Sequence, residues 1–205
     1  MENLNVESAA RFCGVWGKLR KRKSNNFLEL DGKMLIDEFM PNYDFSETHD
    51  IKIRATTENV FRALNEVDLC ESAMIRWLFR LRGLPTREIT LREMRRLRFE
   101  VLGESENREL LLGLAGKFWT IKGDLRKINS QNFREFDEKG FAKAVWNFSL
   151  DKAEGETRLT TETRIECLDA KSRKKFGFYW TLIQPFSALI RKEILKAIKQ
   201  RAEKF

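Results

Sequence analysis

The chain has 205 residues, 42% apolar and 34% charged, with 39 basic and 31 acidic side chains and a net charge of +8. That length suits one ordinary domain with an extension, and the apolar share is enough for a core beneath a strongly charged surface. The basic balance favours anionic partners, while three scattered cysteines (Cys13, Cys70 and Cys167) argue against a disulfide scaffold or a zinc site and fit a reduced, cytoplasmic protein.

Residues 1–44 read as a loosely attached N-terminal extension. Acids precede the bases and no apolar core follows, which is a poor signal peptide. Residues 6–16 suit a short helix, KLRKRKSNN breaks the pattern, and FLELDGKMLIDEF (27–39) carries Asp-Gly between two short apolar runs, a hairpin signal. HDIKIRA (49–55) alternates as a strand. Thr56 or Thr57 then caps a helix with Val60, Phe61, Leu64 and Val67 on one face. Residues 68–85 predict a second short helix that stops at Gly83 and Pro85, followed by TLREMRRLR, a third helical turn or a connector.

Beyond residue 98 the period changes to two. Residues 98–116 predict two strands, with Leu110, Leu112 and Leu114 on one face. Residues 132–168 predict three more, with Trp146, Phe148, Thr161 and Thr163 facing inward and a charge-alternating, exposed outer face that includes Glu162. A long helix begins near Ala170. Its apolar stripe runs Phe176, Tyr179 with Trp180, Ile183, Ser187, Ile190, Ile194 and Ile198, in phase across Pro185, so the proline is expected to kink the helix without ending it. No stretch of about 18 uncharged apolar residues occurs, so no membrane span is expected.

Strand, two helices, antiparallel strands and a long helix make an α+β order. HDIKIRATTENVFRALNEVDL (49–69), RLRGLP (80–85) and FGFYWTLIQPFSALIRKEILKAIKQRAE (176–203) resemble the START-like, or SRPBCC, superfamily that includes polyketide cyclase-like proteins. The resemblance spans roughly residues 45–203. It implies a helix-grip fold over 45–205, a curved antiparallel sheet wrapped around the C-terminal helix, with a cavity between them. It implies no reaction by itself.

The candidate ligand-binding wall is Leu112, Leu114, Trp146, Phe148, Thr161 and Thr163, with Tyr179, Trp180 and Ile183 opposite. The structural alternative is an ordinary packed core. Eight arginines fall between Arg76 and Arg98 with no lysine and two acids. Arg76, Arg80 and Arg82 are the candidates for an anionic group, against the alternative of a solvated face. His49, the one histidine, is assigned a structural or surface role. Arg191 and the other bases near the end of the last helix are explained by its dipole.

The expected function is non-enzymatic binding or carriage of an apolar or amphipathic, lipid-like molecule. No cofactor or metal is implied. An anionic membrane surface is a further candidate partner, and nucleic acid is disfavoured because few aromatics accompany the arginines. Two alternatives stay open: a cyclase or hydratase-type enzyme using the same cavity, and a basic-faced partner-binding module with a filled core.

Overall fold

The computed structural model describes residues 33–81, 90, 91, 98–120 and 123–205. In chain order these form α1 (Leu35–Phe39), β1 (Phe45–Ile53), α2 (Thr57–Glu66), a single 3-10 turn (Leu69–Glu71), α3 (Ala73–Leu81), β2 (Glu100–Ser105), β3 (Glu109–Gly116), β4 (Ala142–Ala153), β5 (Glu156–Cys167) and α4 (Ala170–Ala202). The architecture is α+β: one five-stranded antiparallel sheet, ordered β1-β5-β4-β3-β2, with the long C-terminal helix packed against it.

Local chemistry explains most boundaries. Thr56 caps α2, its hydroxyl accepting from the Asn59 amide at 3.3 Å. Asp169 caps α4, accepting from the amides of Lys171 (2.8 Å) and Ser172 (2.9 Å). β4 and β5 join through Glu154-Gly155, where Gly155 takes φ 71°, a conformation that costs glycine little. Pro185 lies inside α4 on its exposed side, so the carbonyl it leaves without an amide partner can meet water.

Period-two alternation divides the sheet into two faces. On the inner face, Leu110, Leu112, Trp146, Phe148, Leu150 and Leu159 pack with Val60, Phe61 and Leu64 of α2 and with Ile194, Leu195 and Ile198 of α4. Farther along this face, Leu114, Ala144 and Ile165 pack around Phe176. The outer face is not the exposed surface expected from its charges. Leu111, Ala115 and Val145 are buried there beneath Ile36, Phe39, Met40, Ile128 and Phe133.

Three readings of the sequence are corrected. Residues 33–44, counted with the loose extension, belong to the compact unit Lys33–Phe205, and Met34, Leu35, Ile36, Phe39 and Met40 among them pack against the sheet. The second arm of the hairpin expected at 27–39 is instead α1; the arm before residue 33 lies outside the described residues. The Glu109 carboxylate accepts from the amides of Leu35 (2.8 Å) and Ile36 (3.1 Å), satisfying the start of a helix too short to persist alone. Residues 132–135 form turns where a strand was expected. The Asn129 side chain accepts from the amides of Gln131 and Asn132, each at 2.9 Å, so the backbone there turns on itself and not onto a ladder.

Candidate functional site

Toward β1 and β5, a layer of polar side chains lies between the two apolar clusters of the inner face, while Phe99 packs against both clusters. β1 begins at Phe45, four residues before the strand read from the sequence, so Glu47 and His49 both point inward with Phe45, Ile51 and Ile53. The ladder sets Glu47 opposite Thr163 and His49 opposite Thr161, and pairs Trp146 with Thr163 on the far side of β5. Above them, α4 places Ser187 and Arg191, one turn apart, toward the sheet.

Arg191 links these groups. Its Nε and Nη2 donate to Thr163 Oγ1 at 3.1 and 2.6 Å, and Nη1 donates to Ser187 Oγ. Nη1 lies 3.6 Å from Glu47 Oε2, and the guanidinium carbon sits 5.5 Å from the Trp146 ring centroid. Glu47 Oε1 is hydrogen-bonded to His49 Nε2 at 2.9 Å. The side chains of Arg191 and Glu47 are 12% and 6% exposed. Burial holds the guanidinium below its ordinary pKa, and Glu47 offsets part of that. Glu47 Oε2 is buried and, among the described residues, accepts no hydrogen bond; Arg191 is the charged group beside it. The layer thus offers a buried cation, a carboxylate oxygen with free acceptor capacity, and an imidazole.

The sequence-derived wall divides into three parts. Leu112, Trp146 and Phe148 belong to the packed core with α2 and the end of α4. Leu114 sits with Tyr179 and Trp180 in the aromatic cluster around Phe176. Thr161 and Thr163 join the polar layer. Thr161 accepts from Trp146 Nε1 at 2.7 Å and donates to the Asn147 carbonyl at 3.0 Å, so the hydroxyl and the indole N–H satisfy each other. Ile183 is half-buried.

Arg76 and Arg80 are exposed on α3, and Arg76 donates to the Cys70 carbonyl at 2.6 Å. Arg82, with Arg87, Arg92, Arg95 and Arg96, lies outside the described residues. Glu162 stays on the outer face, paired with Arg164 at 2.7 Å. His49, read as opening a strand with a structural or surface role, lies mid-strand on the inner face beside Glu47. Arg191, read as a complement to the helix dipole, points into the interior. Arg191 was legible on a helical wheel, where it falls beside Trp180, Ser187 and Ile198; Glu47 was not, because it precedes the strand read from the sequence.

A separate cleft of about 240 Å³ lies on the outer side, lined by Glu38, Phe39, Pro41, Asn42, Arg134, Lys143 and Glu166. Its charges pair internally, Lys143 with Glu166 at 3.1 Å and Arg134 with Glu38, and it shares no residue with the inner layer. Among the described residues no cluster of three or more His, Cys, Asp or Glu side chains is placed to hold a metal ion, and no helix is long and apolar enough to cross a membrane.

No protein-family model matches the chain, and no curated protein matches it. Among solved structures, the crystal structure of TTHA0849 from Thermus thermophilus aligns with 77% of this chain and 96% of that one, at 10% identity and a TM-score of 0.31. A likeness that low carries no argument about fold or function.

Proposed function

We propose that the chain holds an amphipathic small molecule, without chemistry, between α4 and the inner face of the sheet, in the helix-grip manner of the START-like proteins its sequence resembles. The observation that carries this reading is the contrast along α4. Phe176 near its start and Ile194, Leu195 and Ile198 near its end are buried, whereas Trp180, Ile183, Ser187 and Ile190 between them are half-buried. A close-packed core seals such positions. Here they stand over a buried ion pair, the combination of apolar wall and few polar groups that orients a ligand. Arg191, Thr163 and Ser187 suit an acidic head group, and Trp180, Ile183 and Ile190 suit an apolar body. A cytoplasmic setting belongs to the same reading and rests on the free thiols of Cys70 and Cys167.

Titration with a dansyl-labelled fatty acid tests it. Saturable one-to-one binding, displaced by unlabelled fatty acid and weakened roughly 10-fold or more in Arg191→Gln, is the expected result, since a charge-assisted contact contributes about 1.5–3 kcal/mol. Unchanged affinity in a folded Arg191→Gln protein contradicts the assignment of the head group to this layer.

A second reading has its own observation. Glu47 and His49 form an inward carboxylate–imidazole pair, the acid–base group that a cyclase or hydratase requires. Under that reading, incubating an extracted ligand with the protein yields a second species differing by water or by an isomerisation, and Glu47→Gln yields none.

A further inference from the structure

The face of α4 turned away from the sheet carries an apolar stripe that has no partner among the described residues. Phe178, Leu182, Phe186 and Leu189 recur at intervals of four, four and three, so they share one side of the helix. They are 73%, 60%, 45% and 37% exposed. Isolated exposed apolar residues need no explanation, but four large ones in a row along roughly 17 Å of helix form a patch. The same face becomes basic at both ends. Lys171, Lys174 and Lys175 precede the stripe and Lys192 and Lys196 follow it, all exposed. The one acid within α4 is Glu193, already paired with Lys196 at 2.7 Å.

We infer that this face of α4 docks on an anionic lipid surface, lying in the interface plane with the Phe and Leu side chains at the headgroup–acyl boundary. Charge selects that occupant. A second copy of the chain brings lysine flanks against lysine flanks, which repel. An anionic bilayer offers hydrocarbon to the centre of the stripe and negative headgroups to both of its ends. Lysine stems are long enough to lie over apolar surface while their ammonium groups reach phosphate. The helix supplies the geometry without rearrangement, because the stripe is already outward. This docking is separate from whatever α4 covers on its inner side.

Sedimentation of the full chain with phosphatidylcholine vesicles, with and without phosphatidylglycerol, tests the inference. The expected result is binding that needs phosphatidylglycerol, falls with added salt, and is lost in Phe178→Ser with Phe186→Ser. Lys175→Gln with Lys192→Gln weakens it by roughly 30-fold, at about 1 kcal/mol per basic residue near the surface. All four positions are exposed, so circular dichroism should show each variant folded. Absence of binding to phosphatidylglycerol vesicles overturns the inference, as does equal binding by the Phe variant. Light scattering that shows self-association abolished by the Phe variant, with no vesicle binding, assigns the stripe to a second copy and overturns it as well.

Discussion

A guanidinium and a carboxylate taken out of water cost several kcal/mol each unless their partners are well placed. At Arg191 and Glu47 the compensation is partial: Thr163, Ser187 and His49 supply hydrogen bonds, yet the ion pair is 3.6 Å apart and Glu47 Oε2 has no donor among the described residues. Such a pair is a weak source of stability, and its spare acceptor is what a ligand donor or a proton would meet. Asp169 shows the opposite case, a carboxylate fully used. It accepts from Ser172 through both hydroxyl and amide and from the amides of Gly140 and Lys171, which lowers its pKa from 3.8 to about 2. A depressed folded-state pKa adds stability that is complete above 3.8 and fades as pH falls toward 2. Asp169→Ala is therefore expected to melt at lower temperature than the wild type at neutral pH, and the gap should close over that window. A gap independent of pH would contradict the capping role. At this scale the sequence disclosed residue types and only some directions. Thr161 and Thr163 read as inward because apolar neighbours framed them, whereas Glu47 lies before the strand as read at 49–55, and His49 at its first position has no apolar neighbour before it to frame it.

Among elements, α4 was the most legible. Its start near Ala170, its length and its phase across Pro185 follow from a pattern repeated over many turns. α1 was the least legible, since five residues carry no period and the helix is held by partners distant in sequence. Glu109 caps it from β3. Arg164 of β5 reaches Asp37 at 2.7 Å and the Met40 carbonyl at 3.1 Å. Burial opposes the Arg164 charge, but Glu162 and Asp37 together hold its pKa above the ordinary value. Close approach also fixes Gly113, where a Cβ would lie 2.4 Å from Leu102, the extra residue at the β2 bulge. The aromatic run near the start of α4 resolves into one anchor and its neighbours. Phe176 is 1% exposed and meets Phe45, Phe118, Trp119, Tyr179 and Trp180 with ring centroids between 5.1 and 5.9 Å. Phe176→Ala should cost about 3–5 kcal/mol in denaturant unfolding. A loss below about 1 kcal/mol would mean that the start of α4 is not pinned to the sheet by this ring.

Over the whole molecule, one sheet separates two environments. The outer side is closed by α1 and residues 128–136, with charges paired to one another. The inner side carries two apolar clusters, with the Arg191–Glu47 polar groups between them and half-buried residues of α4 above. The α+β class and most of the strands were readable because alternation and turn residues are local signals, whereas the order of strands in the sheet rests on pairings distant in sequence. Coverage of the outer face was not, because Arg164 and Glu162 on β5 look solvated until α1 folds over them. Under the proposed function, the middle of α4 covers a ligand site. Native mass spectrometry of freshly purified protein, before and after extraction with organic solvent, tests it most directly. The expected result is a stoichiometric added mass that solvent removes, identifiable as a lipid-like or hydrophobic metabolite with an acidic or hydroxyl head. A clean mass for the protein alone, unchanged after incubation with mixed lipids and fatty acids, would contradict it and make the Arg191–Glu47 layer a structural pair within a filled core.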